Sequence, residues 1–125
     1  MDRAVRILLV DDVPDVVDSL AVVLEVFGYD TCAAYSGEQA LGLAGSYRPD
    51  AVIIDLNMPG LDGIETTRRL KKDRRLARTT FVAHTAVDAV VARELASKAG
   101  IEHFVGKGRP KTLEKILTAL SALPR

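Results

Sequence analysis

The stretch Ala51-Val-Ile-Ile-Asp55-Leu-Asn-Met-Pro-Gly-Leu-Asp-Gly63 decides how this chain is read. Pro49-Asp50 marks a turn before it, and Ala51 to Ile54 forms the most apolar run of strand length in the sequence. Such a run belongs at the buried centre of a parallel sheet. It ends directly on Asp55, and a charge at the end of an apolar strand costs free energy unless it is paired. The segment from Asn57 to Gly63 is rich in turn formers. A strand that delivers a carboxylate into a loop is therefore the first prediction.

Working outward, apolar runs alternate with amphipathic stretches of helix length. Val5-Arg-Ile-Leu-Leu-Val10 reads as a strand stopped by Asp11-Asp12. Pro14 suits a first helical position, and Val16, Val17, Leu20, Val23, Leu24 and Phe27 make a helical stripe ending at Gly28. Thr31 to Ala34 is a short strand, and Ser36 suits a cap for a helix carrying Ala40, Leu41 and Ala44. Downstream, a basic amphipathic helix is predicted from about Ile64 to Asp73, then a strand over Phe81–His84. A helix over Val87–Ala99 is closed by Gly100 and followed by a strand over Glu102–Val105. Pro110 opens a last helix with Leu113, Ile116, Leu117 and Leu120 along one face. This gives five βα units around a parallel sheet, in one domain spanning residues 1–125.

Composition narrows the function classes. With 125 residues, 48 % apolar and 27 % charged, the chain has the balance of a soluble globular domain. No stretch approaches the roughly 20 apolar residues of a membrane span. The run after Met1-Asp2-Arg3 is too short for a secretory signal. A single cysteine, Cys32, excludes an internal disulfide, and a cytoplasmic location is expected. Acids and bases both total 17, yet residues 1–62 hold eleven acids against three arginines, while the remainder holds six acids against fourteen bases. The acid-rich half points to a local cation site. The basic half reads more simply as solvated helix surface. The run Arg68-Arg-Leu-Lys-Lys-Asp-Arg-Arg75 has no interleaved aromatics to stack bases, so nucleic acid is not expected as a partner of this domain alone.

Parallel strands bring their carboxyl ends to one edge, where open α/β sheets bind ligands at the point of reversed strand order. Asp11 and Asp12 follow the first predicted strand, Asp55 and Asn57 the third, Thr85 the fourth and Lys107 the fifth. With strand order 2-1-3-4-5, the reversal falls between the aspartate pair and Asp55. Carboxylates crowded there repel one another unless a cation joins them. Oxygen-only ligands suit Mg²⁺. Lys107 adds a fixed positive charge and Thr85 a hydroxyl donor. An acid, a hard cation, an ammonium and a hydroxyl around one volume make a phosphoryl site, with the central acid as nucleophile.

Together, Asp11-Asp12, the Asp55–Gly63 segment, Thr85-Ala86 and Lys107 resemble the receiver domains of two-component signalling, in order and over essentially the whole chain. The resemblance implies an α/β flavodoxin-like three-layer sandwich with a five-stranded parallel sheet and five helices. It implies that Asp55 accepts a phosphoryl group from a phosphohistidine on a sensor histidine kinase or histidine phosphotransfer protein. Asp12, Asp55 and the main-chain carbonyl of Asn57 would bind Mg²⁺, with Mn²⁺ as a substitute, and Asp11 would act mainly through water. Lys107 would pair with Asp55 and later with a phosphoryl oxygen. Thr85 would move onto another phosphoryl oxygen, and Phe104 stands at the family's switch aromatic. The face of the fourth helix, fifth strand and fifth helix would meet a downstream protein target or effector domain.

Two departures stand out. Gly108 follows Lys107 where the family usually has a proline joined through a cis peptide, and a non-proline cis bond costs about 2.5–4 kcal/mol. Phe104 lacks the hydroxyl of a tyrosine switch. Each residue also has a plainer reading: Asp12 or Thr85 as a helix cap, Lys107 as a solvated lysine, Phe104 as core, His84 and His103 as surface or edge-strand histidines. Met58 is expected to fill a gap and Pro59 to shape the loop. Two other functions compete with the switch. A haloacid-dehalogenase-type phosphatase would want an acid two residues after its nucleophile, where Asn57 stands. A degenerate receiver serving only as a binding module would not need the complete acid, threonine and lysine set.

Overall fold

The alternation of apolar strands and amphipathic helices folds as five βα units in the computed structural model, which describes residues 3–124. Met1, Asp2 and Arg125, part of the expected 1–125 domain, lie outside the described residues. The elements are β1 (Arg6–Val10), α1 (Pro14–Val26), β2 (Asp30–Ala34), α2 (Gly37–Tyr47), β3 (Ala51–Ile54), α3 (Gly63–Leu70), β4 (Thr80–Thr85), α4 (Val90–Ala99), β5 (His103–Gly106) and α5 (Thr112–Ser121). The strands pair in parallel in the order β2-β1-β3-β4-β5, as expected, with β3 central.

Side chains alternate across each strand, so the sheet feeds two cores. Leu8, Val10, Val52, Ile54, Phe81 and Ala83 face α2, α3 and α4, where Ala40, Ala44, Leu70 and Ala96 meet them. Ile7, Leu9, Ala51, Ile53 and Val82 face α1 and α5, against Val17, Leu24, Ile116, Ala119 and Leu120. Every residue of β3 is buried, which is why that strand carries no polar alternation. Each large apolar side chain so buried contributes about 1.5–3 kcal/mol before the entropy of ordering is subtracted. Met58 joins the first core, filling space beneath its loop.

Helix starts follow local hydrogen bonding. Pro14 opens α1, Ser36 caps α2 by accepting the Gln39 N–H at 3.0 Å, and Asp62 caps α3 by accepting the Glu65 N–H at 2.8 Å. The strands expected at Phe81–His84 and Glu102–Val105 run over Thr80–Thr85 and His103–Gly106, and three helix boundaries depart further from expectation. The basic helix ends at Leu70 rather than Asp73, because Asp73 accepts the Arg75 N–H and starts a separate 3-10 turn, Arg74–Leu76. α4 begins at Val90 rather than Val87, since the Thr85 hydroxyl takes the Val87 N–H and Ala89 is extended. Pro110 precedes α5 instead of opening it: Thr112 Oγ1 accepts the Arg109 N–H at 3.0 Å and donates to the Gly106 carbonyl at 2.6 Å, folding Pro110 into a turn.

Candidate functional site

Register brings the site together. Val10 pairs with Ile54, and Ile54 with Ala83, so β1 and β3 end at one level while β4 runs on two residues to Thr85. The Asp55 N–H donates to the Val10 carbonyl at 2.9 Å and the Asp11 N–H to the Ala34 carbonyl at 3.2 Å. These bonds fix the two aspartates on neighbouring strand ends. One ligand oxygen from each of Asp11, Asp12 and Asp55 lies within 4.8 Å of the others. Asp11 and Asp55 are buried, and Asp12 is half-buried.

Lys107 reaches this cluster from the end of β5, its own N–H anchored on the Thr85 carbonyl at 2.9 Å. Its Nζ donates to Asp55 Oδ2 at 3.1 Å and lies 2.6 Å from Asp11 Oδ2. The expected pairing with Asp55 is present, and the shorter contact is to Asp11. Burial by itself would lower the lysine pKa, but the hydrogen bonds to Asp11 and Asp55 outweigh it and raise the pKa above the ordinary value. Lys107 is thus a fixed charge at neutral pH, not a solvated loop residue. The second oxygen of Asp11 accepts the Val13 N–H at 3.0 Å. Val13, not Asp12, is the N-cap residue of α1. Asp12 is the middle residue of that turn, and its carboxylate takes no part in the turn's hydrogen bond or in the Lys107 ion pair.

The other expected residues are placed less tightly. The Asn57 N–H approaches Asp55 Oδ1 at 3.3 Å, and Asn57 is exposed. Thr85 ends β4 at the same edge and is buried, with its hydroxyl oxygen accepting the Val87 N–H at 3.3 Å. Phe104 is half-buried on β5, with the Arg93 guanidinium 4.5 Å above its ring centre. The Lys107-Gly108 bond is trans, and Gly108 has φ +67°.

Two features went unread in the sequence. Gly63 packs against the Asp55 peptide: an added Cβ would overlap the Asp55 carbonyl oxygen and stand 2.8 Å from Leu56 Cα. His84, expected at a surface or sheet edge, is instead buried on an interior strand, facing α1 and α5 beside Val16, Leu20 and Ile116. Burial first, and the Lys107 charge second, hold its pKa below the ordinary histidine value. A period-two reading of β4 carries the signal, since His84 shares the face of Val82. His103 lies on edge strand β5 and is partly exposed, as expected.

The donor set is oxygen only, clustered and short of positive charge, which suits a hard divalent cation. Comparison with known proteins agrees with this geometry. A family profile described as response regulator receiver domain matches residues 7–120. The response regulator MprA of Mycolicibacterium vanbaalenii is 40% identical over 121 residues, covering 97% of this chain and 51% of the relative. The chain thus spans about half the length of the curated relatives it matches. The chemotaxis protein CheY4 of Vibrio cholerae shares the fold, with a TM-score of 0.89 over 98% of this chain and all of that one, at 23% identity. The receiver domain of the sensor histidine kinase PA1611 of Pseudomonas aeruginosa has a TM-score of 0.80 at 30% identity, covering 94% of this chain and 97% of that one. That structure holds a magnesium ion coordinated in its active-site cleft. Since the profile runs from β1 into α5 and the fold agrees throughout, the chain belongs to the response regulator receiver domain family, whose members are signalling switches.

Proposed function

We propose that this chain is a phosphoryl-accepting switch in a two-component phosphorelay, with Asp55 as the acceptor. The observation that carries the reading is the Lys107 ammonium bridging Asp11 and Asp55 inside a cluster of three carboxylates at the point of reversed strand order. A carboxylate oxygen of Asp55 attacks the phosphorus of a phosphohistidine on a sensor histidine kinase or histidine phosphotransfer protein. A P–O bond forms as the P–N bond breaks, the electron pair stays on the imidazole nitrogen, and Asp55 becomes an acyl phosphate. Lys107 keeps Asp11 as its partner and transfers its other hydrogen bond from Asp55 to a phosphoryl oxygen. Thr85 releases the Val87 N–H and donates its hydroxyl proton to a second phosphoryl oxygen.

Asp12, Asp55 and the Asn57 carbonyl would hold Mg²⁺, or Mn²⁺ in its place, with Asp11 acting mainly through water. Bound there, such an ion neutralises charge on the phosphoryl oxygens. The half-buried Asp12 carboxylate, left outside the Lys107 ion pair, supports this assignment. The phosphoryl group then favours one of two arrangements of the fourth and fifth βα units, with Phe104 following Thr85. Their surface meets a downstream protein or effector domain.

Residues 1–125 act in this reading as one cytoplasmic receiver that slowly dephosphorylates itself, not as a turnover enzyme. Asn57, two residues after Asp55, cannot protonate a leaving group. Among the described residues no helix is long and apolar enough to cross a membrane. Acetyl phosphate with magnesium tests the proposal: intact mass should rise by one phosphoryl group, and Asp55→Ala should abolish the gain. No gain, or a gain that survives the substitution, overturns it.

A further inference from the structure

On the sheet face that carries α1 and α5, the two helices leave a cleft of about 540 Å³ between them. That lies within the roughly 300–1,000 Å³ of small-molecule sites. Val16, Leu20 and Val23 of α1 and Leu113 and Ile116 of α5 form its walls, and His84 of β4 lies at its floor. Only 9 % of His84 is exposed, and its ring makes no hydrogen bond among the described residues. No fully enclosed side-chain nitrogen among them lacks a partner, so the ring nitrogens open onto the cleft. With its pKa held below the ordinary histidine value by burial and then by Lys107, the ring is neutral at pH 7. It then offers one N–H donor and one bare nitrogen acceptor. At the rim Asp15 and Arg109 carry opposite charges. Arg109 already stands 3.5 Å from Asp88, which also holds Arg93 at 3.1 Å.

We propose that this cleft binds a small uncharged molecule with a hydrocarbon body and one hydroxyl group, of the phenol type, with His84 as its polar anchor. A hydroxyl both donates and accepts, which matches the two nitrogens of a neutral imidazole. A buried polar ring without a protein partner costs stability that an apolar residue would not, and a ligand hydroxyl removes that cost. The hydrocarbon body displaces water from the aliphatic walls. Ions fit poorly. A carboxylate at the rim meets Asp15 and competes with Asp88 for Arg109, and an ammonium meets Arg109 itself. The inference does not rest on the switch reading, which gives these residues no part.

Titrating the isotope-labelled chain with para-ethylphenol, and following its amide shifts by NMR, tests this. The shifts should saturate and gather on β4, α1 and α5 around the cleft. Ethylbenzene, the same body without the hydroxyl, should bind roughly two- to tenfold more weakly, the factor that one neutral hydrogen bond contributes. His84→Leu should abolish that preference and leave ethylbenzene binding in place. Ser19→Trp, at an exposed position on the rim, should weaken both ligands by setting a ring across the cleft. The unliganded amide spectrum of each variant checks that its fold is kept, and the comparison of the two ligands on the wild type needs no variant. The idea is overturned if the shifts fail to saturate or scatter over the surface, or if ethylbenzene binds as tightly. It is also overturned if His84→Leu keeps the preference or if Ser19→Trp changes neither affinity. Tighter binding of para-ethylbenzoate than of para-ethylphenol would refute the uncharged class, and a dimer closed over this cleft in sedimentation would refute the small ligand.

Discussion

Replacing Asp12 by asparagine keeps the shape of the side chain and removes one charge from a crowded cluster. One oxygen of Asp12 lies within 4.8 Å of oxygens on Asp11 and Asp55. At 4.8 Å two unit charges repel by about 0.9 kcal/mol in water and about 3.5 kcal/mol at an effective dielectric of about 20. Lys107 offsets one of the two neighbouring carboxylates, so Asp12 faces one uncompensated negative charge. Because Asp12 is half-buried, the lower end applies, and Asp12→Asn should stabilise the metal-free protein by about 1 kcal/mol. That corresponds to about 4 °C in Tm for a chain of this size. Magnesium should reverse the order: at ten times its Kd the wild type gains about 1.4 kcal/mol, and the variant, short of a ligand, gains less than about 0.4 kcal/mol. Urea unfolding in EDTA and across a magnesium titration, with m unchanged, measures both effects. A variant less stable than wild type in EDTA, or a wild type indifferent to magnesium, would refute the reasoning.

Three other outcomes follow from the same geometry. Lys107→Ala strips the cation from two buried carboxylates, and since Lys107 is itself 20% exposed the cost should be about 2–3 kcal/mol, below that of a fully buried pair, with partial recovery in magnesium by urea unfolding. Gly63→Ala forces a methyl group into the Asp55 peptide, where backbone cannot yield freely; a loss of about 1–3 kcal/mol by thermal unfolding is expected, with slower phosphorylation by acetyl phosphate. His84, its pKa lowered by burial and then by Lys107, binds a proton more readily once unfolded, so its contribution is complete above about pH 6.5 and is lost as pH falls below it; His84→Leu should flatten stability between about pH 7 and 5, and an unchanged slope would contradict that assignment.

Much of the site was legible because its residues stand immediately after apolar strands. Asp11, Asp12, Asp55 and Lys107 each follow a hydrophobic run, and parallel topology alone sends them to one edge. Helix boundaries were less legible. Asp73 beginning a new turn, Thr85 holding the Val87 N–H, and Thr112 clasping its loop depend on which neighbour a short polar side chain reaches. Periodicity does not encode that choice. His84 was misplaced because β4 lies inside the sheet and is covered on both faces, and that neighbourhood is not written in the residues of the strand itself.

By itself the amino-acid order determined five βα units, a central strand ending on Asp55, and acids gathered at the carboxyl edge of the sheet. Those properties arise from hydrophobic spacing and residue chemistry, which act locally along the chain. Only the folded molecule decided that Lys107 leans hardest on Asp11, that Gly63 presses on the Asp55 peptide, and that Asp88 holds two arginines beside Phe104. Strand register and loop packing fix the distances of such contacts, whether they join near neighbours such as Asp88 and Arg93 or residues as remote as Asp11 and Lys107.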